Sequence, residues 1–363
     1  MEKRDFVKTV ALGSIAAFTP LRLLGLPGFG AKKRSSKNWV WMSWKEDFTL
    51  QQWENKFFEL KDLGFHGVLL HQGNKEKLEK IVPLAKSADL EIHAWIISLN
   101  HPDKELEQAH PEWYTISGEG TSSIQKPPYV PYYKWLCPTK EPVKKFIADW
   151  AVNLASIPGL DGIHLDYIRH SDVILPVGLW KKYGIVQDRE YPQYDFCYCN
   201  DCRQKFKNET GLDPIDLKDP SHNLNWKQFR YDSVTSLVNY VAKEVHGKQK
   251  KLSAAVFPTP EIAKKLVRQE WVKWNLDEIF PMIYHSFYEE DVEWIGKATG
   301  EGVKALDGRF PLYSGLFVPR LSPKELGQAI SISLDNGAKG ITIFEEGSLN
   351  KHHKRVLKRK LKS

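Results

Sequence analysis

The sequence predicts an α/β chain of the (β/α)8, or TIM, barrel class, with long loops after the third and fourth strands. Three observations carry this reading. Apolar runs bounded by Gly, Pro or charge alternate with amphipathic stretches from residue 38 to the carboxyl end, which is the period of βα units. Eight such runs can be counted. The fourth lies in Gly159–His170, GLDGIHLDYIRH, where a buried strand ends in an ionisable cluster, as barrel enzymes present a catalytic carboxylate.

In order, strands are expected at Asn38–Trp44, Phe65–His71, Glu91–Ser98, Gly162–Ile168, Lys251–Phe257, Glu278–His285, Pro311–Phe317 and Lys339–Phe344. Helices follow at about 49–62, 74–88, 141–156, 226–246, 260–270, 291–305, 322–336 and 349–361. Repeated crossovers of one hand close most simply into a barrel around one core. A doubly wound open sheet is the competitor, but no Gly-rich phosphate loop follows the first strand. Two excursions exceed ordinary βα loops: 99–140, dense in Pro and aromatics, and 171–225, which holds most of the cysteines. Both follow strand carboxyl ends, where long loops wall substrate clefts.

Within the fourth strand, alternation sends Ile163, Leu165 and Ile168 toward the helices and Gly162, His164 and Asp166 toward the barrel axis. Asp166 then stands at the carboxyl rim. Arg169 beside it is expected to depress its pKa and keep it ionised, as suits a nucleophile or base. The competing reading is a structural Asp166–Arg169 ion pair beneath a loop.

A chain of 363 residues, 42% hydrophobic, can bury a large core. The formal charge of +7 is concentrated at the ends: residues 1–37 carry a net +6 and residues 351–363 a net +7, which leaves the body at about −6. A basic face for nucleic acid is therefore not expected. Lys3–Arg4 followed by the short apolar run Thr9–Phe18 resembles a twin-arginine export signal with Lys3 in place of the first arginine. Residues 1–35 are read as that signal and 36–363 as a single barrel, exported to the periplasm or secreted. The apolar run is too short for a permanent membrane anchor, with an uncleaved amphipathic anchor or a Sec signal as alternatives.

Cys197, Cys199 and Cys202 fall within one tight turn, and the fourth cysteine, Cys137, lies in the preceding excursion. Four thiolates suit a closed tetrahedral zinc site that staples the two excursions. The alternative is a disulfide from Cys137 to one of the three.

The segment Phe196–Phe206, FCYCNDCRQKF, resembles the zinc-binding loop of glycoside hydrolase family 42 β-galactosidases, where a fourth cysteine also comes from upstream. The strand DGIHLDYIR is similar to that of the family-10-like glycosyl hydrolases, a (β/α)8 group of exported bacterial proteins, and this resemblance covers most of residues 38–350. It implies hydrolysis of glycosidic bonds in an oligo- or polysaccharide. The family 42 resemblance covers the loop alone, since Asp166–Tyr167 stands where that family has an Asn-Glu pair, so it implies structural zinc rather than galactoside specificity.

A glycosidase needs a second carboxyl group. Glu345 and Glu346, where the eighth strand ends, are the candidates, with alternation favouring Glu346 and Glu261 a weaker third. Their separation from Asp166 would set the stereochemistry: about 5–5.5 Å for a covalent intermediate, about 6.5–9.5 Å for direct attack by water. His71, His93, Trp95, His164, Arg169, Tyr284, His285 and Trp41 fall at or near strand ends and are candidates to contact sugar, whose apolar faces and hydroxyl edges suit aromatic rings and imidazoles. Two other readings stay open. One is a metal-dependent carbohydrate hydrolase or deacetylase with His71, His93, His164 and Asp166 as ligands; the other is a sugar-binding barrel without catalysis.

Overall fold

The computed structural model describes residues 36–71 and 74–362; the segment read as an export signal lies outside the described residues. Eight strands, β1 (Trp39–Ser43), β2 (Gly67–His71), β3 (Glu91–Ile97), β4 (Gly162–Asp166), β5 (Lys251–Val256), β6 (Glu278–Pro281), β7 (Tyr313–Phe317) and β8 (Gly340–Phe344), pair in parallel in the order β6-β5-β4-β3-β2-β1-β8-β7. The two edges meet through parallel bridges from Ile279 to Leu312 and from Met282 to Gly315, which close the barrel. Gly315 is required at that seam, because a Cβ there would press on the Pro281 carbonyl and the Trp41 ring.

Helices occupy Leu50–Leu63, Lys75–Ser87, Glu141–Ala155, Leu224–His246, Pro260–Val267, Val292–Leu306, Pro323–Asp335 and Lys351–Leu361, one after each strand. Their starts are written in the sequence: Thr49 with Gln52, and Ser322 with Glu325, form reciprocal capping boxes. The helix expected to reach 270 stops at Val267, since Arg268 takes a left-handed φ of 58° and turns its guanidinium onto Glu190 and Asp195. Likewise β6 ends at Pro281 rather than His285: Met282 and Ile283 still donate to the Val256 and Gly315 carbonyls, and the chain then curls into a 3-10 turn at His285–Phe287.

Alternation sorts the strands into two layers. Val40, Met42, Val68, Leu70, Ile92, Ile163 and Leu165 pack outward in the large core shared with the helices. Trp39, Trp41, Leu69, Trp95, Phe280 and Tyr313 fill the barrel interior. The amino-terminal end is plugged by an ionic cluster in which the Lys37 and Lys251 ammonium groups both contact Glu91 and Glu278.

The excursion after β3 folds back on itself through bridges Asn100–Trp135 and Tyr114–Leu136 and carries a short helix, Lys104–Ala109. The excursion after β4 carries another, Asn200–Thr210. The two are tied together by the Ser117–Phe196 bridge and by Gln187, whose amide accepts from Leu175 N and donates to Tyr129 Oη, both at 2.8 Å. Buried Asp195 fixes the second excursion to the barrel by pairing with Arg230 and Arg268. Its burial alone would raise the carboxyl pKa, but the two guanidiniums hold it below the usual value.

Candidate active site

Asp166 is the last residue of β4 and lies on the axial side, 8% exposed, above the interior layer formed by His164, Trp41 and Phe280. The chain turns sharply after it, with Tyr167 at φ 51°, an uncommon backbone for a non-glycine residue and one found often at functional sites. That turn lets Tyr167 N–H donate to Asp166 Oδ1 at 2.7 Å, while the Trp95 indole N–H donates to Oδ2 at 3.1 Å. Burial nevertheless dominates and pushes the carboxyl up to about 6, against the opposing pull of these donors and of Arg169. Arg169 pulls the pKa down as expected, but burial outweighs it, so the carboxyl stands above rather than below its ordinary value. The guanidinium instead bonds Asp172 Oδ2 at 2.9 Å and the His170 carbonyl at 3.0 Å, packed on the rings of Trp135, Tyr167 and Phe257.

Asp166 opens into a cavity of about 370 Å³ at the carboxyl mouth of the barrel, which His71, Trp95, Arg169 and Tyr284 also line. These expected sugar contacts are therefore brought together. Four others are not. His93 and His164 are fully buried in the interior and share the Ser253 hydroxyl through their Nδ1 atoms, at 2.9 and 3.0 Å. Trp41 donates its indole N–H to His164 Nε2 at 3.0 Å, so His164 carries its proton on Nδ1 and stays neutral, its pKa driven well down by burial. These three support the floor beneath Asp166 rather than touching a ligand, and His285 sits behind the wall on its own 3-10 turn. A metal centre of His71, His93, His164 and Asp166 is not assembled. Among the described residues, the groups able to hold an ion are the four cysteines and Glu91–His93–Glu278, and the two lysines already neutralise the second.

The two glutamates after β8 separate cleanly. Glu346 opens a 3-10 turn that carries it to the helix side, where it is buried against Lys56 at 2.7 Å; the expected inward alternation fails because the strand has already ended at Phe344. Glu345 stays at the rim, half-buried, with Ser43 Oγ donating to its Oε2 at 3.2 Å. Its charge acts on His71 and Tyr284, both of which line the cavity. Glu261 stands in the first turn of the Pro260–Val267 helix, as expected of a helix-start acid.

Sequence reasoning missed Asp172, Tyr129, Tyr133 and Tyr288, all in the cavity wall. The aromatic density of 127–135 was a signal for the two first tyrosines; nothing local marked Asp172 or Tyr288, which are placed by tertiary packing.

The four cysteines converge. Cys137, Cys197, Cys199 and Cys202 are buried with sulfurs within 4.8 Å of one another, and Cys137 Sγ lies 3.5 Å from Cys202 Sγ and 3.8 Å from Cys199 Sγ. Those gaps exceed a disulfide bond of about 2.05 Å, and all four cysteines are free thiols. An all-sulfur tetrahedral donor set of this span fits a structural metal ion and leaves no coordination position for chemistry.

A closed (β/α)8 barrel with a buried carboxyl at the rim of β4, inside an aromatic cavity, defines a barrel enzyme whose site lies at the carboxyl mouth. The family model described as "Putative glycosyl hydrolase domain" matches residues 65–307; the chain belongs to this family and, as an enzyme, to the glycosidases. No curated protein matches it by sequence. Among solved structures, it is similar to the catalytic domain of β-amylase from Paenibacillus polymyxa, with a TM-score of 0.61 at 10% identity over 90% of this chain and 98% of that one. It is also similar to a family 42 β-galactosidase from G. stearothermophilus, with a TM-score of 0.63 at 12% identity over 91% of this chain and 56% of that one, and to a β-galactosidase from the psychrophilic Marinomonas ef1, 0.58 at 10% over 90% and 59%. The chain thus spans somewhat over half the length of the two β-galactosidases. At these identities the likeness is one of fold.

Proposed function

We propose that the protein is an exported glycosidase that hydrolyses glycosidic bonds of an oligo- or polysaccharide, with Asp166 as the general acid and Glu345 as the second carboxyl group. The observation that carries this reading is the Asp166 carboxyl itself, buried among aromatic rings and raised to about 6, because an acid that must protonate a leaving oxygen works best with a pKa near the operating pH. An oxocarbenium-like transition state also needs a carboxylate at the anomeric carbon. Glu345 supports this role from the rim beside His71, as nucleophile or as base toward water. Trp95, Tyr167 and Tyr284 offer ring faces and edge donors to the sugar. Cys137, Cys197, Cys199 and Cys202 would hold zinc, which would lock the two excursions that wall the site. The basic, then apolar, amino-terminal segment supports export. Leaving-group dependence tests the assignment. Asp166→Ala is expected to lose turnover of unactivated glycosides by at least ~100-fold, the range general acid catalysis supplies, while retaining much of it on aryl glycosides whose phenolate departs without a proton. Glu345→Gln is expected to lose both. Equal losses on the two substrates in Asp166→Ala would overturn the acid assignment.

A further inference from the structure

Two walls of the cavity that holds Asp166 are well defined among the described residues. The turn Val177–Leu179 of the β4 excursion crosses the barrel mouth to pack on the His285–Phe287 turn after β6, so closely that any side chain at Gly178 would run into the backbone of Ser286 and Phe287. On the far side stand Tyr129 and Tyr183, which line both this cavity and a separate outer groove of about 720 Å³. They are the partition between the two. Tyr129 is fixed there: its ring stacks on Tyr194 with centroids 4.4 Å apart, its hydroxyl donates to the Asp172 carbonyl at 2.8 Å and accepts from Gln187 at 2.8 Å. A third side, at His71, Trp95, Ile97 and Tyr167, adjoins a second cavity of about 430 Å³ that Trp150 and His101 also line. Trp95, which bonds Asp166, stands at the junction, and Glu345 acts on His71 at the same place.

The geometry points to an exo-acting enzyme, with Tyr129 and Tyr183 as the residues that set this specificity. This inference rests on the glycosidase reading above. The lobe at Asp166, small within the range of about 300–1,000 Å³ used by small-ligand sites, takes the non-reducing terminal sugar of a chain. The scissile bond lies at the Trp95 junction, where Asp166 protonates the leaving oxygen and water replaces it at the anomeric carbon. The leaving chain runs out along the second cavity over Trp150. An internal segment cannot bind, because its non-reducing side would have to pass through the Tyr129–Tyr183 partition into the outer groove.

The test uses linear oligosaccharides of defined length and linkage, each with its non-reducing end free or blocked by a ketal, and chromatography of the products. The expected result is release of single terminal units from the free-ended series and at least a hundredfold slower attack on the blocked series. Tyr129→Gly removes the partition at a backbone φ of 63° that glycine adopts without strain, and Tyr183→Ala opens the same wall at a half-exposed side chain; either is expected to gain at least tenfold in internal cleavage of blocked chains. Internal fragments from blocked chains with the unaltered protein would overturn the exo inference while leaving the glycosidase reading intact. Folded variants, judged by circular dichroism, that gain nothing on blocked chains would overturn the role given to the tyrosines. No cleavage of either series by the unaltered protein would overturn the glycosidase reading and this inference with it.

Discussion

The indole N–H of Trp95 points at Oδ2 of Asp166 from 3.1 Å away, one strand over. The bond orients the carboxyl toward the junction of the two cavities, since Oδ1 is already taken by the Tyr167 N–H. Trp95 also lines both cavities, so one side chain positions the acid and shapes the path of the leaving chain. Trp95→Phe keeps the ring face and removes the donor. A loss of roughly tenfold in kcat with little change in KM is expected, and steady-state kinetics on an identified glycoside checks it; an effect confined to KM would show that Trp95 only binds.

The pKa of Asp166 ties activity and stability to pH in one direction. Folding raises it from 3.8 to about 6, so the folded state binds the proton more tightly than the unfolded one. The stability this gives is fully present below pH 3.8 and is lost as pH rises through about 6. At one unit per 1.36 kcal/mol, ionised Asp166 costs the fold about 3 kcal/mol at neutral pH. Turnover should likewise fall about tenfold per pH unit above about 6, as the acid loses its proton. Asp166→Asn is expected to be inactive and, by differential scanning calorimetry, more stable than the parent at pH 8, the difference closing toward pH 4. A variant destabilised equally at both pH values would show that Asp166 is held ionised.

Glu345 and Glu346 are neighbours with opposite tasks. Glu346→Gln leaves Lys56, itself largely buried with its pKa held up by its two glutamates against burial, short of its closest inward partner. A loss of about 1–3 kcal/mol in stability with near-normal turnover is expected. Glu345→Gln is expected to do the reverse. Chemical denaturation alongside kinetics separates them, and full activity in Glu345→Gln would move the second carboxyl to Asp172, the other acid that lines the cavity.

All eight strands and the helix after each were legible from period and punctuation, because each strand must be apolar on both faces and each helix on one. Asp166 was legible for the same reason: Ile163 and Leu165 fix the outward face, so His164 and Asp166 face the axis. Depth along that axis was not. Whether an inward side chain fills the interior or lines the mouth depends on strand tilt and on how far each strand runs. His93 and His164 therefore read like Trp95 in sequence yet lie a layer below it. The pairing of Arg169 with Asp172 instead of Asp166 depends on the turn at Tyr167, which local propensity does not mark.

His164 gives that distinction a measurement. Its replacement by Ala empties volume in the interior and strands the Trp41 N–H without its acceptor, while the Ser253 hydroxyl keeps only His93 and the Ile163 carbonyl. A cost of about 2–5 kcal/mol is expected, read as a lower midpoint in urea with an unchanged slope. KM for a glycoside should move little. A variant of normal stability that no longer binds sugar would place His164 in the cleft after all.

The cysteine cluster offers the last test. Sulfurs within 4.8 Å of one another, one from the first excursion and three from the second, tie together the two segments that form the cavity wall. Zinc is the ion an all-thiolate tetrahedral set selects without redox chemistry, and its binding free energy would count toward the fold. Elemental analysis of the purified protein is expected to find about one zinc per chain, and Cys137→Ser to lower that content. Since 1 kcal/mol shifts Tm by roughly 2–4 °C in domains of somewhat smaller size, loss of a ligand from a site that contributes several times this should be plain in a thermal melt. Chelation should lower Tm in the parent protein and slow turnover only as the walls loosen, because the thiolates leave the ion no open position for substrate. Metal-free protein with an unshifted Tm would reduce the four cysteines to packing, and immediate loss of turnover on chelation, before any change in Tm, would give the metal a catalytic part.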